Sequence, residues 1–249
     1  MTPFAAEVLG TFFLMLLGNG VVANAVLNNT KGNGGGWLMI NMGFAFAVYA
    51  GVIVSQDYSG AHLNPAVTVS LAIGGKFPWS DVPTYVLAQM LGAMLGALGV
   101  WLSYRDHYNS TTDQGAILGT FSTGPAIRNT LNNTVTEIIG TFVLVFAVFS
   151  FTSPNFTTTD PNIPPGLGSL GALPVALIVL VIGTGLGGPT GYSINPARDL
   201  GPRIMHAILP IKNKGGSDWG YSWIPVVGTL IGGAIAAILY GALIFLGIQ

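Results

Sequence analysis

Two Asn-Pro-Ala triplets, Asn64–Pro65–Ala66 and Asn195–Pro196–Ala197, carry the most readable chemistry in this sequence. Proline suits the first turn of a helix, where no backbone N–H is needed, and asparagine is a favoured N-cap. Each triplet therefore predicts a helix start whose tip carries roughly half a positive charge. One such triplet alone is most often a plain cap or turn. Two in matching places favour a site: two side-chain amides and two positive helix ends, which donate hydrogen bonds and oppose cations. Arg198 follows Asn195 by three residues. A fixed guanidinium there offers donors to a polar solute and repels cations; the plainer reading is an arginine snorkelling to a membrane interface. This is the chemistry of binding and exclusion, not of bond making.

Other ionisable residues sit in or beside apolar runs. A charge at a bilayer centre costs about 2.5–3.5 kcal/mol on insertion scales, so such residues face a partner or a cavity. Glu7 and Glu137 are read as structural carboxylates that accept backbone N–H bonds from an irregular loop, in preference to a proton relay. Asp199 either pairs with Arg203 at i+4 or holds a loop. His62, beside the first triplet, reads as a structural histidine before a pH gate. The carbonyls of Gly60, Ala61, His62 and Leu63, and of Gly191, Tyr192, Ser193 and Ile194, precede the two helix starts and are free to line a path.

The elements that position these groups are membrane-embedded. Of 249 residues, 51% are hydrophobic and 7% charged, with a formal net charge of −1; soluble domains carry about 25% charged residues. The fold class predicted is an all-α membrane protein. Six apolar segments, at about 4–27, 36–54, 82–104, 133–153, 168–187 and 222–247, match the roughly 20 residues that cross a bilayer. Two segments of about 64–74 and 195–207 follow the triplets and are too short to cross. Polar connectors lie between the spans, among them "SYRDHYNSTTDQGAILGTFSTGPAIRNTLNN" and "TSPNFTTTDPNIPPG", and no room remains for a soluble domain. The run from Phe4 has no basic flank and contains Glu7, so it reads as a first span and not as a cleavable leader. There is no cysteine, hence no disulfide. Nothing in the charge balance calls for nucleic acid.

The chain also reads as a duplication. "AAEVLGTFFLML" (Ala5–Leu16) matches "VTEIIGTFVLVF" (Val135–Phe146), and both the Glu7/Glu137 and Asn64/Asn195 pairs keep nearly the same offset. Repeat 1 covers about 1–104 and repeat 2 about 133–249, each with three spans and one half-helix. Three spans are an odd number, so the second half enters from the opposite side. Inverted repeats with interrupted helices place a transport site near the midplane. Gly92–Gly96 and Gly228–Gly232 have GxxxG spacing, which serves bundle packing as readily as oligomerisation. Four N-x-S/T sequons, at Asn28, Asn109, Asn132 and Asn155, are read as chance.

"GAHLNPAVT" and "NPARDLGPR" resemble the major intrinsic proteins, the aquaporin family, and the likeness covers essentially the whole chain. Asp199, Arg203, "IPV" at Ile224–Val226 and "GTFST" at Gly119–Thr123 resemble the glycerol-facilitator branch in bacteria, of the lactic-acid-bacterium type. The resemblance implies an aquaporin fold in a bacterial plasma membrane. It implies passive diffusion of glycerol, other small neutral solutes and water, with ions and protons excluded, through homotetramers with a pore per subunit. It implies no catalysis, cofactor or metal. Urea or undissociated lactic acid is the alternative cargo if the filter is wide. A proton-coupled secondary transporter would need Glu7 or Glu137 as its ion site, and a structural or adhesive membrane protein would pass no solute. The family's filter carries over to Gly183, Tyr192 and Arg198. Tyrosine stands where phenylalanine is usual, and Gly183 leaves room that histidine fills in water-selective members. The fourth position is usually a tryptophan on the second helix. Aligning on "AVY" gives Ile40, and counting straight back from Asn64 gives Phe44; Ile40 is preferred, with Trp37 on the same face. The family places both termini in the cytoplasm. Lys76 is then the only lysine or arginine in a cytoplasmic connector, while Lys31, Arg105, Arg128, Lys212 and Lys214 lie outside, against the positive-inside tendency.

Overall fold

A computed structural model describes residues 1–152 and 166–248. The sequon at Asn155, most of the connector it lies in and the last residue of the expected fourth span fall outside the described residues. Among the described residues all regular structure is helical.

Six long apolar helices form a bundle. They are α1 (Pro3–Val26), α2 (Gly36–Ser59), α4 (Val82–Ser103), α7 (Thr130–Ser150), α8 (Leu173–Leu186) and α10 (Trp223–Phe245); α3 (Pro65–Ile73) and α9 (Pro196–Ile208) are the short helices after the triplets. A 24-residue helix such as α1 is about 36 Å long, enough for a hydrocarbon core of about 30 Å. The fourteen residues of α8 fall short alone, and the 3-10 helix Gly168–Ala172 before it extends the span to 19 residues. Helix starts follow local chemistry. Thr2 caps α1 by accepting from Ala5 N, Asn129 caps α7 by accepting from Asn132 N, and prolines occupy the first turns of α1, α4, α8 and the two half-helices.

The bundle is sorted for lipid. Large apolar side chains such as Leu38, Phe46, Leu87, Leu102, Val181 and Ile238 point outward, while Glu7, Thr11, Asn19, Asn41, Gln89, Glu137 and Thr229 are buried. Helix α1 packs on α2 and α4, and α7 packs on α8 and α10. The halves are tied by exchange, with α3 against α10 and α9 against α4. Both GxxxG pairs are spent inside the bundle. Gly92 and Gly96 on α4 lie against the α1 backbone at Val8, Phe12 and Leu16, and Gly228 and Gly232 lie against α7 at Thr134 and Ile138.

The connector after α4 differs from the open loop that its composition predicts. It forms α5 (Arg105–Ser110) and α6 (Gln114–Gly119), and Tyr108, Ile117 and Phe121 pack with Val100, Trp101, Met205 and Leu209. Three isolated apolar residues in a polar stretch are enough to fold it down as a cap over α4 and α9.

A methyl on Gly232 would overlap the Ile138 carbonyl, whereas the space beside Gly241 is open. Gly232→Ala is therefore expected to destabilise by about 1–3 kcal/mol. Gly241→Ala should leave stability unchanged or raise it slightly. Thermal unfolding of the detergent-purified variants distinguishes the two; equal melting temperatures would contradict the packing.

Candidate pore and selectivity site

The two half-helices meet tip to tip. Asn64 and Asn195 cap them in extended conformation, with φ of −157° at each. Asn64 Oδ1 accepts from Ala66 N at 2.9 Å, and Asn195 Oδ1 from Ala197 N at 3.0 Å and Arg198 N at 3.2 Å. The amide nitrogens cross over: Asn64 Nδ2 donates to the Ile194 carbonyl at 2.8 Å, and Asn195 Nδ2 to the Leu63 carbonyl at 2.9 Å. Each asparagine thus caps its own helix and clasps the other one's entry strand.

Those entry strands are irregular in the same way. Gly60, Ala61 and Leu63 have φ of 79°, 52° and 51°; Gly191, Tyr192 and Ile194 have 81°, 39° and 44°. Left-handed backbone at a non-glycine residue costs about 1–3 kcal/mol and persists only where its surroundings impose it. The buried carboxylates impose it here. Glu7 accepts from His62 N at 2.9 Å and Leu63 N at 2.8 Å, and also from Ser59 Oγ and Gln89 Nε2. Glu137 accepts from Ser193 N and Ile194 N, both at 3.0 Å. With the N–H groups drawn to the carboxylates, the carbonyls of Gly60, Ala61, His62, Gly191, Tyr192 and Ser193 have no donor among the described residues. His62 bonds Thr68 Oγ1 through Nδ1 at 3.1 Å and packs against the rings of Phe77 and Tyr85, which also touch each other.

A cavity of about 290 Å³ runs past this junction. Arg198, Phe44 and Tyr192 close one end, Gln56, Phe151 and Gly171 lie at the other, and Asn64 and Asn195 stand between them. One side carries polar backbone from Gly60–Leu63 and Tyr192–Ile194. The other is apolar, with Val48, Val52, Leu71, Val148, Val175 and Val179.

Arg198 is 7% exposed and sits in the wall, not at a membrane interface. Its Nη1 makes long bonds to Asn19 Oδ1 at 3.5 Å and the Phe121 carbonyl at 3.4 Å, and the guanidinium lies 4.6 Å from the Phe44 ring centre. Its Nε and Nη2 have no partner among the described residues. Asp199 is turned the opposite way. It takes Arg203 in a fork, Nε to Oδ1 at 2.8 Å and Nη2 to Oδ2 at 3.0 Å, and accepts from the backbone and hydroxyl of Thr123. Arg203 also donates to the carbonyls of Thr123, Ser217 and Asp218. The ion pair and the loop-holding role expected for Asp199 therefore coexist, and no free acid opposes Arg198. At the far end of α9, Lys214 Nζ donates to the carbonyls of His206, Ala207 and Leu209, and burial holds its pKa below the usual lysine value.

Two expected positions are corrected. Ile40 does not line the cavity; it packs into the apolar cluster between helices, and Phe44 stands beside Arg198 and Tyr192. The "AVY" alignment required extra loop residues before Asn64. Instead α2 continues as helix to Ser59, so the straight count holds and Phe44 lies one turn deeper. Gly183 does not open room in the cavity either. The Tyr192 ring and Asn41 fill the space over it, where a methyl would come within 2.8 Å of Tyr192 Cζ and 2.6 Å of Asn41 Oδ1. Trp37 shares the Phe44 face as expected, meets the Tyr192 ring edge-on and donates Nε1 to the Gly183 carbonyl at 3.0 Å. Asn19, Gln89 and Phe121 were not singled out from sequence. A polar residue inside an apolar span is the signal that marks Asn19 and Gln89.

The sequence matches the major intrinsic protein family over residues 1–240. The chain belongs to that family. It is therefore a member of a family of channels and an integral, multi-pass membrane protein. It is similar to glycerol uptake facilitator protein 3 of Lactiplantibacillus plantarum, 52% identical across 95% of both chains. It is also similar to the glycerol uptake facilitator protein of Streptococcus pneumoniae, 51% identical over 96% of this chain and 98% of that one. The X-ray structure of the aquaglyceroporin from Plasmodium falciparum superposes with a TM-score of 0.82 at 34% identity, covering 99% of this chain and 98% of that one. The aquaporin fold is thus the fold of this chain.

Asp199 and Arg203 are both 0% exposed. Asp199→Ala strands a buried guanidinium and is expected to cost about 3–5 kcal/mol. Asp199→Ala with Arg203→Met removes both charges and should recover much of that loss. Melting temperatures and folded yields in detergent check this; a double variant as weak as the single would refute it.

Proposed function

We propose that this channel conducts glycerol and comparable small neutral polyols by passive diffusion, with water on the same path. The observation that carries this reading is the two-sided cavity. A polyol has hydroxyls along one edge and C–H groups along the other. Free carbonyls and Arg198 donors meet the first, and the valine-rich wall meets the second. The named glycerol uptake facilitators among its relatives support the same substrate class.

In this reading Phe44, Tyr192 and Arg198 form the selectivity filter. The chain comprises two inverted halves, about 1–104 and 133–249, and assembles as a homotetramer in a bacterial plasma membrane, each subunit with its own pore. Cations are opposed by Arg198 together with two helix tips of about half a charge each. They would also lose hydration that a path of few carbonyls cannot replace. The solute leaves chemically unchanged, so no enzyme activity or cofactor is invoked. Urea and undissociated lactic acid are neutral and of similar size, and belong in the same test. A proton-coupled mechanism fits less well, because backbone N–H groups and neutral side chains occupy Glu7 and backbone N–H groups occupy Glu137.

Stopped-flow swelling of proteoliposomes with water, glycerol, urea and lactic acid tests the reading; glycerol flux that saturates and follows a proton gradient would reject it. Arg198→Ala is expected to raise cation leakage by about tenfold, a barrier loss of about 1.4 kcal/mol. Leakage at the wild-type level would remove Arg198 from the exclusion barrier. Phe44→Trp should slow glycerol more than water, whereas Ile40→Trp should spare that ratio. The reverse pattern would return the filter to Ile40.

A further inference from the structure

Behind the Tyr192 ring lies a small polar cluster that the conduction path does not use. Tyr192 is seated in a slot made by Gly183 of α8 and Gly187 at its C-terminal cap. Its Cδ1 edge packs on Gly187, its Cζ faces Gly183, and Trp37 and Phe44 meet it edge-on. The ring carbon that bears the hydroxyl thus lies over Gly183. Oη is buried and has no hydrogen-bond partner among the described residues. On the same side of Gly183 sits the Asn41 carboxamide, 0% exposed, with neither Oδ1 nor Nδ2 partnered among the described residues. The unpartnered carboxamide and the ring carbon that bears the unpartnered hydroxyl thus meet over one glycine. Leaving a buried donor or acceptor unmet is costly, whereas a mutual pairing removes that cost.

We propose that Asn41 is the positioning residue of the filter: its carboxamide pairs with the Tyr192 hydroxyl by a small turn of the amide, and holds the ring that sets the solute cut-off. The pairing assigns a use to the tyrosine where phenylalanine is usual. The added hydroxyl gives the solute no donor; it tethers the wall from behind. Gly183 is then the residue whose missing side chain admits both partners. This inference rests on Tyr192 being a filter wall, as proposed above.

Four proteins test it: wild type, Asn41→Leu, Tyr192→Phe and the double variant. Melting temperature in detergent is read beside the erythritol-to-glycerol flux ratio in proteoliposomes. Asn41→Leu strands the hydroxyl and should lower the melting temperature by about 2–6 °C. The double variant removes both partners and should recover most of it. Each single variant should raise the flux ratio about threefold, with no further rise in the double. Additive melting shifts, or a double-variant ratio equal to the product of the singles, overturn the pairing. If Asn41→Leu does not fold alone, its rescue by Tyr192→Phe supports the pairing, and a double variant that also fails to fold overturns it. Tyr192→Ala separates the two readings. If it leaves the flux ratio unchanged, the filter role of Tyr192 fails. If it changes the ratio while Asn41→Leu does not, only the role of Asn41 fails.

Discussion

The reciprocal clasp of Asn64 and Asn195 is the interaction on which this structure turns. It joins two positive helix ends tip to tip beside the cavity. Like charges do not choose that arrangement, so it has to be imposed. Each amide gives its oxygen to its own helix and one N–H to the opposite entry strand, which leaves one N–H of each side chain for the cavity. The surrounding bundle then supplies the rest, by seating α3 against α10 and α9 against α4. Neither half can place its own half-helix without the other.

The clasp also dictates what the carboxylates do. Non-helical backbone inside a membrane is tolerable only if its polar groups are satisfied or face water. Glu7 and Glu137 take the N–H groups, and that leaves carbonyls for the cavity. The strain at Ala61, Leu63, Tyr192 and Ile194 follows from this division. A neutral side chain of the same size would accept fewer bonds, and the strand would relax toward ordinary backbone with its carbonyls no longer aimed at the path. Asp199 and Arg203 follow a parallel logic one turn into α9. The acid is neutralised by its own arginine, so the potential at the Arg198 end stays positive.

Much of this was legible in the sequence because it depends on local rules. Proline after asparagine marks a helix start wherever it occurs, and apolar length marks a span. The matched offsets of Glu7/Glu137 and Asn64/Asn195 pointed to carboxylates serving the two entry strands. What was not legible depends on register and on which face a residue presents. Ile40 and Phe44 are one turn apart on the same helix face, so only the unbroken run of α2 to Ser59 separates them. Gly183 reads as open space when considered alone; only the arrival of Asn41 and Tyr192 from two other elements fills it. The fold of the 104–129 connector hangs on Tyr108, Ile117 and Phe121, too few and too scattered to show a period. Yet that connector brings the Phe121 carbonyl to Arg198 and Thr123 to Asp199.

The distribution of lysine and arginine yields to the same reasoning. Charges in loops bias orientation when they are free to stay on one side of a membrane. Here many are structural. Lys214 closes the carbonyl end of α9, opposite the tip that meets Asn64. Arg128 pairs with Asp218, whose carbonyl also receives Arg203. Arg105 lies over the Trp101 ring, at the base of the folded connector. A half-helix that enters from one face and ends there needs a cation at its C-terminal end, and the loops that pin Asp199 and Arg203 lie on that face too. The cations gather where α9 is anchored. Lys76, on the connector after α3, is held by the rings of Phe149 and Tyr240. Lys214 and Arg128, two of the loop cations that oppose the family's orientation, are thus tied to the anchoring of the second half-helix, the one that carries Arg198.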